Sequence, residues 1–106
     1  MSELPNTFEL EALDEFLFHL PEMRARIPSL RVEKRERDVR GFWTTFACAT
    51  SEPEWSMSLD SEIILPGDTS VDAELWSKGD HPWRLRVWDP SAAWSGDVSG
   101  YRFVSA

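Results

Sequence analysis

The sequence predicts an α+β fold: an N-terminal helix plus a short second helix packed on an antiparallel meander sheet of five to six strands. Three observations carry this expectation. Leu10, Leu13, Leu17 and Leu20 recur at helical spacing near the start of the chain. From Trp55 to Trp88 apolar and polar residues alternate with period two, the mark of half-buried strands. Two turn-forming clusters, Pro66-Gly67-Asp68-Thr69-Ser70 and Lys78-Gly79-Asp80-His81-Pro82, cut that region into arms. With 106 residues and 42% hydrophobic content, residues 1–106 are expected to form one domain around a single core.

The helix has a start signal. Asn6 or Thr7 can cap it, and Glu9 stands three residues after Asn6, the capping-box spacing. Glu9 and Glu11 suit the positive end of the helix dipole. Phe16 joins the leucine stripe, with Glu11, Asp14 and Glu15 on the other side. Pro21 interrupts the pattern and starts a short second turn through Met23 to Ile27, which Pro28 stops. Met23, Ile27 and Leu30 are expected to plug the core.

In the segment Leu30–Arg40, Val32 and Val39 have opposite parity. A strand there is charged on both faces or bulged, which suits an exposed sheet edge. Phe42 to Thr50 sets Phe42, Phe46 and Cys48 against Trp43, Ala47 and Ala49, and two partly apolar faces fit a central strand. Ser51-Glu52-Pro53-Glu54 is a turn. Trp55, Met57, Leu59, Ile63 and Leu65 then share one parity, with Asp60 and Glu62 on the other. Centring the next connector near Asp68 pairs Leu65 with Val71, Ile63 with Ala73 and Glu62 with Glu74.

The hairpin Val71–Trp88 is the most sharply patterned stretch. A centre near Asp80 pairs Leu75 with Leu85 and Ala73 with Val87 on one face. On the other it pairs Trp76 with Arg84, Glu74 with Arg86 and Asp72 with Trp88. Two outward rows are therefore expected, Glu62–Glu74–Arg86 and Asp60–Trp76–Arg84, with Arg86 offsetting the opposed glutamates. Asp89-Pro90 ends the hairpin, Ser91 to Gly100 forms a loop around Trp94, and Tyr101 to Val104 is a short last strand. One helix covers only one face of a sheet. The other face must curl over, stay exposed or meet another molecule.

Composition narrows the function. The formal charge is −8, so a basic partner is favoured and a nucleic-acid backbone disfavoured. The basic band from Arg24 to Arg40 is interleaved with Glu33, Glu36 and Asp38, and reads as a solvated surface. One cysteine, Cys48, excludes an intramolecular disulfide and a cysteine-built metal site. Between two alanines on a strand it reads as a small buried hydrophobe. The Met1-Ser2-Glu3 start and the lack of a long apolar run predict a cytoplasmic protein with no membrane span.

Catalytic signals are thin. His19 and His81 have no reacting partner in sight, and Ser91, Ser95 and Ser99 sit in no nucleophile-elbow setting. No glycine run cradles a phosphate, so no cofactor is expected. Asp60, Glu62, Asp72 and Glu74 read as ion-paired strand surface, not as metal ligands.

The remaining signal is a binding surface. Asp60, Glu62, Asp72, Glu74, Trp76, Arg84, Arg86 and Trp88 form the aromatic, arginine-rich and acidic mixture enriched at interface hot spots. The structural alternative is that Trp76 and Trp88 are covered by the Trp94 loop or lie along the arginine stems. Trp43, Trp55 and Trp83 are assigned to the core.

Two functions fit. The first is a small acidic non-enzymatic inhibitor of a basic or nucleic-acid-handling protein, of the immunity, antitoxin or phage-inhibitor kind. The second is a small ligand-binding or enzymatic α+β cone with an aromatic pocket. A homodimer stays open in either case. The build resembles that of small bacterial immunity proteins in general, and no motif ties the chain to one family. The order of helix then strands also resembles cystatin-like folds, without the Gln-Val-Gly type segment of the protease inhibitors.

Overall fold

The computed structural model describes residues 3–105. The Met1-Ser2 start, used above against a leader, lies outside the described residues. Helix α1 spans Thr7–Leu17 and α2 spans Pro21–Arg24, followed by a 3-10 turn at Ile27–Ser29. Seven strands follow: β1 Val32–Asp38, β2 Gly41–Phe46, β3 Glu54–Ser58, β4 Glu62–Leu65, β5 Thr69–Lys78, β6 His81–Trp88 and β7 Arg102–Val104. The helices pack on one face of this antiparallel, open sheet, as the α+β pattern predicts.

Strand order departs from a simple meander. The path is β1-β2-β6-β5-β4-β7, with β3 beside β5. So β2 neighbours β6, and residues 47–53 carry the chain across the sheet end to β3. Cys48 lies in this connector, because β2 stops at Phe46. The single strand expected over Trp55–Leu65 is two, interrupted at residues 59–61. Its halves pair successively along β5, Met57 opposite Leu75 and Ile63 opposite Val71.

Helix α1 begins with the predicted capping box. The Asn6 side chain accepts from the Glu9 N–H at 2.8 Å, and Glu9 Oε1 accepts from the Asn6 N–H at 2.8 Å. Its buried stripe is Phe8, Ala12, Leu13, Phe16 and Leu17, whereas Leu10 and Leu20 are exposed. Beneath it lie Phe46, Ile63, Leu65, Val71, Ala73, Leu75, Leu85 and Val87, with Met23 and Leu30 closing one end. Ile27 is packed on this cluster and half-buried.

One charged group enters this apolar layer. Glu9, 1% exposed, receives Arg35 Nη2 at 2.7 Å, Arg35 Nε at 3.0 Å and the Thr44 hydroxyl at 2.7 Å. Arg35 on β1 and Thr44 on β2 are cross-strand partners, so the sheet edge presents both to the helix start. Arg35 Nη1 also holds Glu3 at 2.7 Å. Burial pushes the Glu9 carboxyl up; the Arg35, Thr44 and Asn6 hydrogen bonds and the Arg35 charge outweigh it and hold it below its ordinary 4.5. A helix dipole role alone understates this residue. It pins α1 to the sheet.

Candidate functional site

The face of the sheet opposite the helices carries the predicted site. β5 and β6 pair in the register read from sequence: Asp72 with Trp88, Glu74 with Arg86, Trp76 with Arg84, and Leu75 with Leu85 on the core side. The adjoining register is shifted by two residues. Ile63 faces Val71 and Leu65 faces Thr69, because the turn closes over Pro66-Gly67-Asp68, with Gly67 and Asp68 at positive φ. A two-residue shift keeps every side chain on its face, so Glu62 still points outward. Its cross-strand partner is Val104 of β7, not Glu74. Ser58 stands opposite Glu74 and Ser56 opposite Trp76, so neither expected outward row forms.

Arg86 consequently takes another partner. Its Nη1 donates to Asp38 Oδ2 at 2.6 Å, and Asp38 also accepts from the Arg40 and Gly41 N–H groups of the β1–β2 turn. The Arg86 hydrogen bond first, then the Arg40 N–H, hold the Asp38 carboxyl below its ordinary range. Gly41 is required here by close approach, since a Cβ would collide with the Val87 carbonyl.

β2 brings in a residue the sequence analysis placed in the core. Trp43 stands opposite Arg86 on the outer face and is half-buried. The Arg84 guanidinium lies 4.1 Å from its ring centre and that of Arg86 4.8 Å. Arg84 also stands 5.4 Å from the Trp83 ring, and Arg86 5.5 Å from that of Trp88. Rings and guanidinium groups thus alternate as Trp83, Arg84, Trp43, Arg86, Trp88, with Trp76 beside Trp43 at 5.3 Å. Each such contact stabilises by about 0.5–1 kcal/mol when exposed and more when desolvated.

Trp83 reaches this row through a bulge. Trp76 faces Arg84 while Ser77 faces Pro82, leaving Trp83 as the extra residue of β6. Pro82 has no N–H for the ladder, and a proline just after the turn was the signal that could have located this break. Trp55 is 41% exposed at the sheet margin, its indole N–H donating to the Gly79 carbonyl. None of Trp43, Trp55 and Trp83 is therefore a core residue. The Trp94 loop packs on the helix side against Phe42, at 6.0 Å between rings, while Trp76 and Trp88 are half-buried on the other face, Trp76 against Trp43 and Trp88 beside Arg86.

The acids gather where the strand breaks. The gap at residues 59–61 opens a cleft of about 440 Å³ walled by Asp60, Glu62, Asp72, Glu74 and Trp88. Among the described residues none of these four carboxylates is in an ion pair. Five of the eight predicted residues therefore line one cleft, and Trp76, Arg84 and Arg86 continue the surface beside it. The expectation that the acids form ion-paired surface does not hold for these four.

Both histidines have only local partners among the described residues. His19 is exposed against Phe18, and the His81 ring hydrogen-bonds its neighbouring Pro82 carbonyl at 2.9 Å. Among the described residues no three His, Cys, Asp or Glu side chains stand close enough to hold a metal ion, and no helix is long and apolar enough to cross a membrane. No protein-family model matches the chain, and neither the curated proteins nor the solved structures include one that is significantly similar to it.

Proposed function

We propose that this chain is a non-enzymatic binding protein whose outer sheet face docks a basic partner protein and inhibits it. The observation that carries this reading is the acidic cleft of Asp60, Glu62, Asp72 and Glu74, lying without ion partners against Trp88 and the Trp–Arg stack. A lysine or arginine side chain of the partner fits the cleft by charge, with the Trp88 ring offering a cation–π wall. The stacked tryptophans supply large, rigid contact area at low entropic cost, and stacking on both sides fixes the arginines before binding. The net charge of −8 steers the encounter. A basic nuclease-like toxin or another nucleic-acid enzyme, of immunity or antitoxin type, is the partner class these features suit.

The rival, a ligand-binding cone, has less behind it. Its aromatic pocket needed Trp43, Trp55 or Trp83 around a buried acid. The buried acids among the described residues are Glu9, already occupied by Arg35 and Thr44, and Asp89, which accepts from the Ser91 and Ala92 N–H groups.

Capture from lysate of the native host tests the proposal, with the wild type run beside D60N/E62Q/D72N/E74Q. A basic protein held by the wild type, released by moderate salt and lost with the variant supports it. Recovery of the same proteins by both baits overturns it.

A further inference from the structure

The outer margins of the sheet are treated unequally. At β1 the Val32 N–H and C=O are bonded to Glu3 at 2.6 and 3.1 Å, and the next six residues, Glu33 to Asp38, are charged and exposed. Charge of this kind protects an edge. At the other margin β7 pairs with β4, and among the described residues no strand pairs with the outer side of β3. β3 reads Glu54-Trp55-Ser56-Met57-Ser58, with one charge, and is exposed at every position except Met57.

The free groups on β3 can be assigned. The Gly79 N–H donates to the Pro53 carbonyl and the Leu59 N–H to the Ala73 carbonyl, so odd-numbered residues of this strand exchange bonds with β5. Antiparallel pairs alternate, so Glu54, Ser56 and Ser58 turn their N–H and C=O groups outward. A register that matches every one of these groups with a second antiparallel copy of the strand is centred on Ser56. It sets Ser56 against itself and Glu54 against Ser58 of the other copy, so no like charges meet. Trp55 and Met57 then face one another twice, covering the exposed Trp55 ring with a sulfur–aromatic contact.

We infer that β3 is a dimerisation edge, and that two copies of this chain pair through it about a two-fold axis at Ser56. The interface is isologous, as closed dimers require. A single strand pair is small, so assembly is expected only at the weak end of specific association. This inference is independent of the basic partner proposed above.

Sedimentation equilibrium over a concentration series reaching about 1 mM provides the test. The wild type should rise from 12.2 kDa toward twice that mass. Ser56→Pro should remain monomeric with an unchanged melting curve, because the Ser56 N–H turns away from β5 and has no ladder partner among the described residues. Ser56→Lys and Ser56→Glu place like charges at the axis, so each alone should dissociate, while an equimolar mixture should dimerise. The mixing experiment decides even where the proline variant folds poorly. A wild type that stays monomeric throughout, a folded Ser56→Pro that dimerises normally, or a mixture no heavier than its components overturns the inference.

Discussion

The two faces of the β5–β6 hairpin are made from alternate residues of the same strands, and they treat charge in opposite ways. On the helix side Val71, Ala73, Leu75, Leu85 and Val87 are buried, and the carboxylate that enters this layer at the start of α1, Glu9, has both oxygens hydrogen-bonded. On the other side, among the described residues, Asp72 and Glu74 have no ion partner, Arg86 has one acid partner, Asp38, and Arg84 lies against tryptophan rings with no acid partner. A buried charge must be fully paired or the fold loses more than it gains. A charge at the surface costs little when unpaired, and it is then available to another molecule. The helix face specifies the fold, and the outer face keeps its interactions incomplete.

The largest effect on stability belongs to the helix face. Leu85 is fully buried, so Leu85→Ala should cost about 3–5 kcal/mol in urea unfolding, through lost transfer energy and a residual cavity. Equality with an outer-face truncation would mean that the two faces had been exchanged.

Arg35→Ala should follow, at about 3 kcal/mol, because it strands the buried Glu9 carboxylate. Its pH dependence sharpens the contrast. The folded Glu9 carboxyl titrates below its ordinary 4.5, so its contribution is present above that pH and lost as the pH falls through the folded value. Removing Arg35 takes away its hydrogen bonds and its charge and leaves only those of Thr44 and Asn6 against burial, so the carboxyl moves up. The gap between variant and wild type should then narrow below pH 4.5. A gap constant from pH 7 to pH 3 would mean that Arg35 acts by packing alone.

Trp88→Ala should cost about 1 kcal/mol, since the ring is only half-buried and leans on Arg86. The order reverses for binding, where loss of Trp88 should cost more than about 2 kcal/mol if the outer face is a hot spot. Asp60→Lys should act mainly on association, and on its salt dependence, because a rim charge steers encounter more than it holds the complex. A partner that binds these variants at wild-type rate and strength would move the interface off this face.

Local patterns were legible in the sequence; long-range ones were less so. The capping box at Asn6 and Glu9, the β5–β6 register and the charged β1 edge each follow from neighbours in the chain or from a short turn. The neighbour of β2 does not. Nothing within Phe42–Phe46 says that β6 lies beside it, and without that neighbour Trp43 reads as core. Placing Trp83 failed for a smaller reason, since parity counting ignores the bulge that Pro82 imposes. The ion partners of Asp60 and Glu62 were misjudged because the Pro66-Gly67-Asp68 turn shifts the β4–β5 register by two residues and the strand then breaks at residues 59–61. A purely alternating pattern gives no sign of it.

The smallest predicted effect concerns α1, where the leucine spacing was right for Leu13, Phe16 and Leu17 and wrong for Leu10 and Leu20. Leu10, Leu13, Leu17 and Leu20 are regular, yet a helix lying on a sheet buries a band broader than one row. Once Asn6 fixes the start and Glu9 must face Arg35 and Thr44, the helix is rotated so that Phe8, Ala12, Leu13, Phe16 and Leu17 lie inward. Leu10 is then 40% exposed, and Leu20 falls beyond the helix end. Leu10→Ala should therefore change stability by no more than about 0.5 kcal/mol, as surface substitutions do. Leu13→Ala, one turn away and fully buried, should cost several times more. Equal losses for the two in parallel urea melts would restore the leucine stripe as the core face. The Glu9–Arg35 pair could not then form as described, because turning Leu10 inward swings Glu9 away from β1.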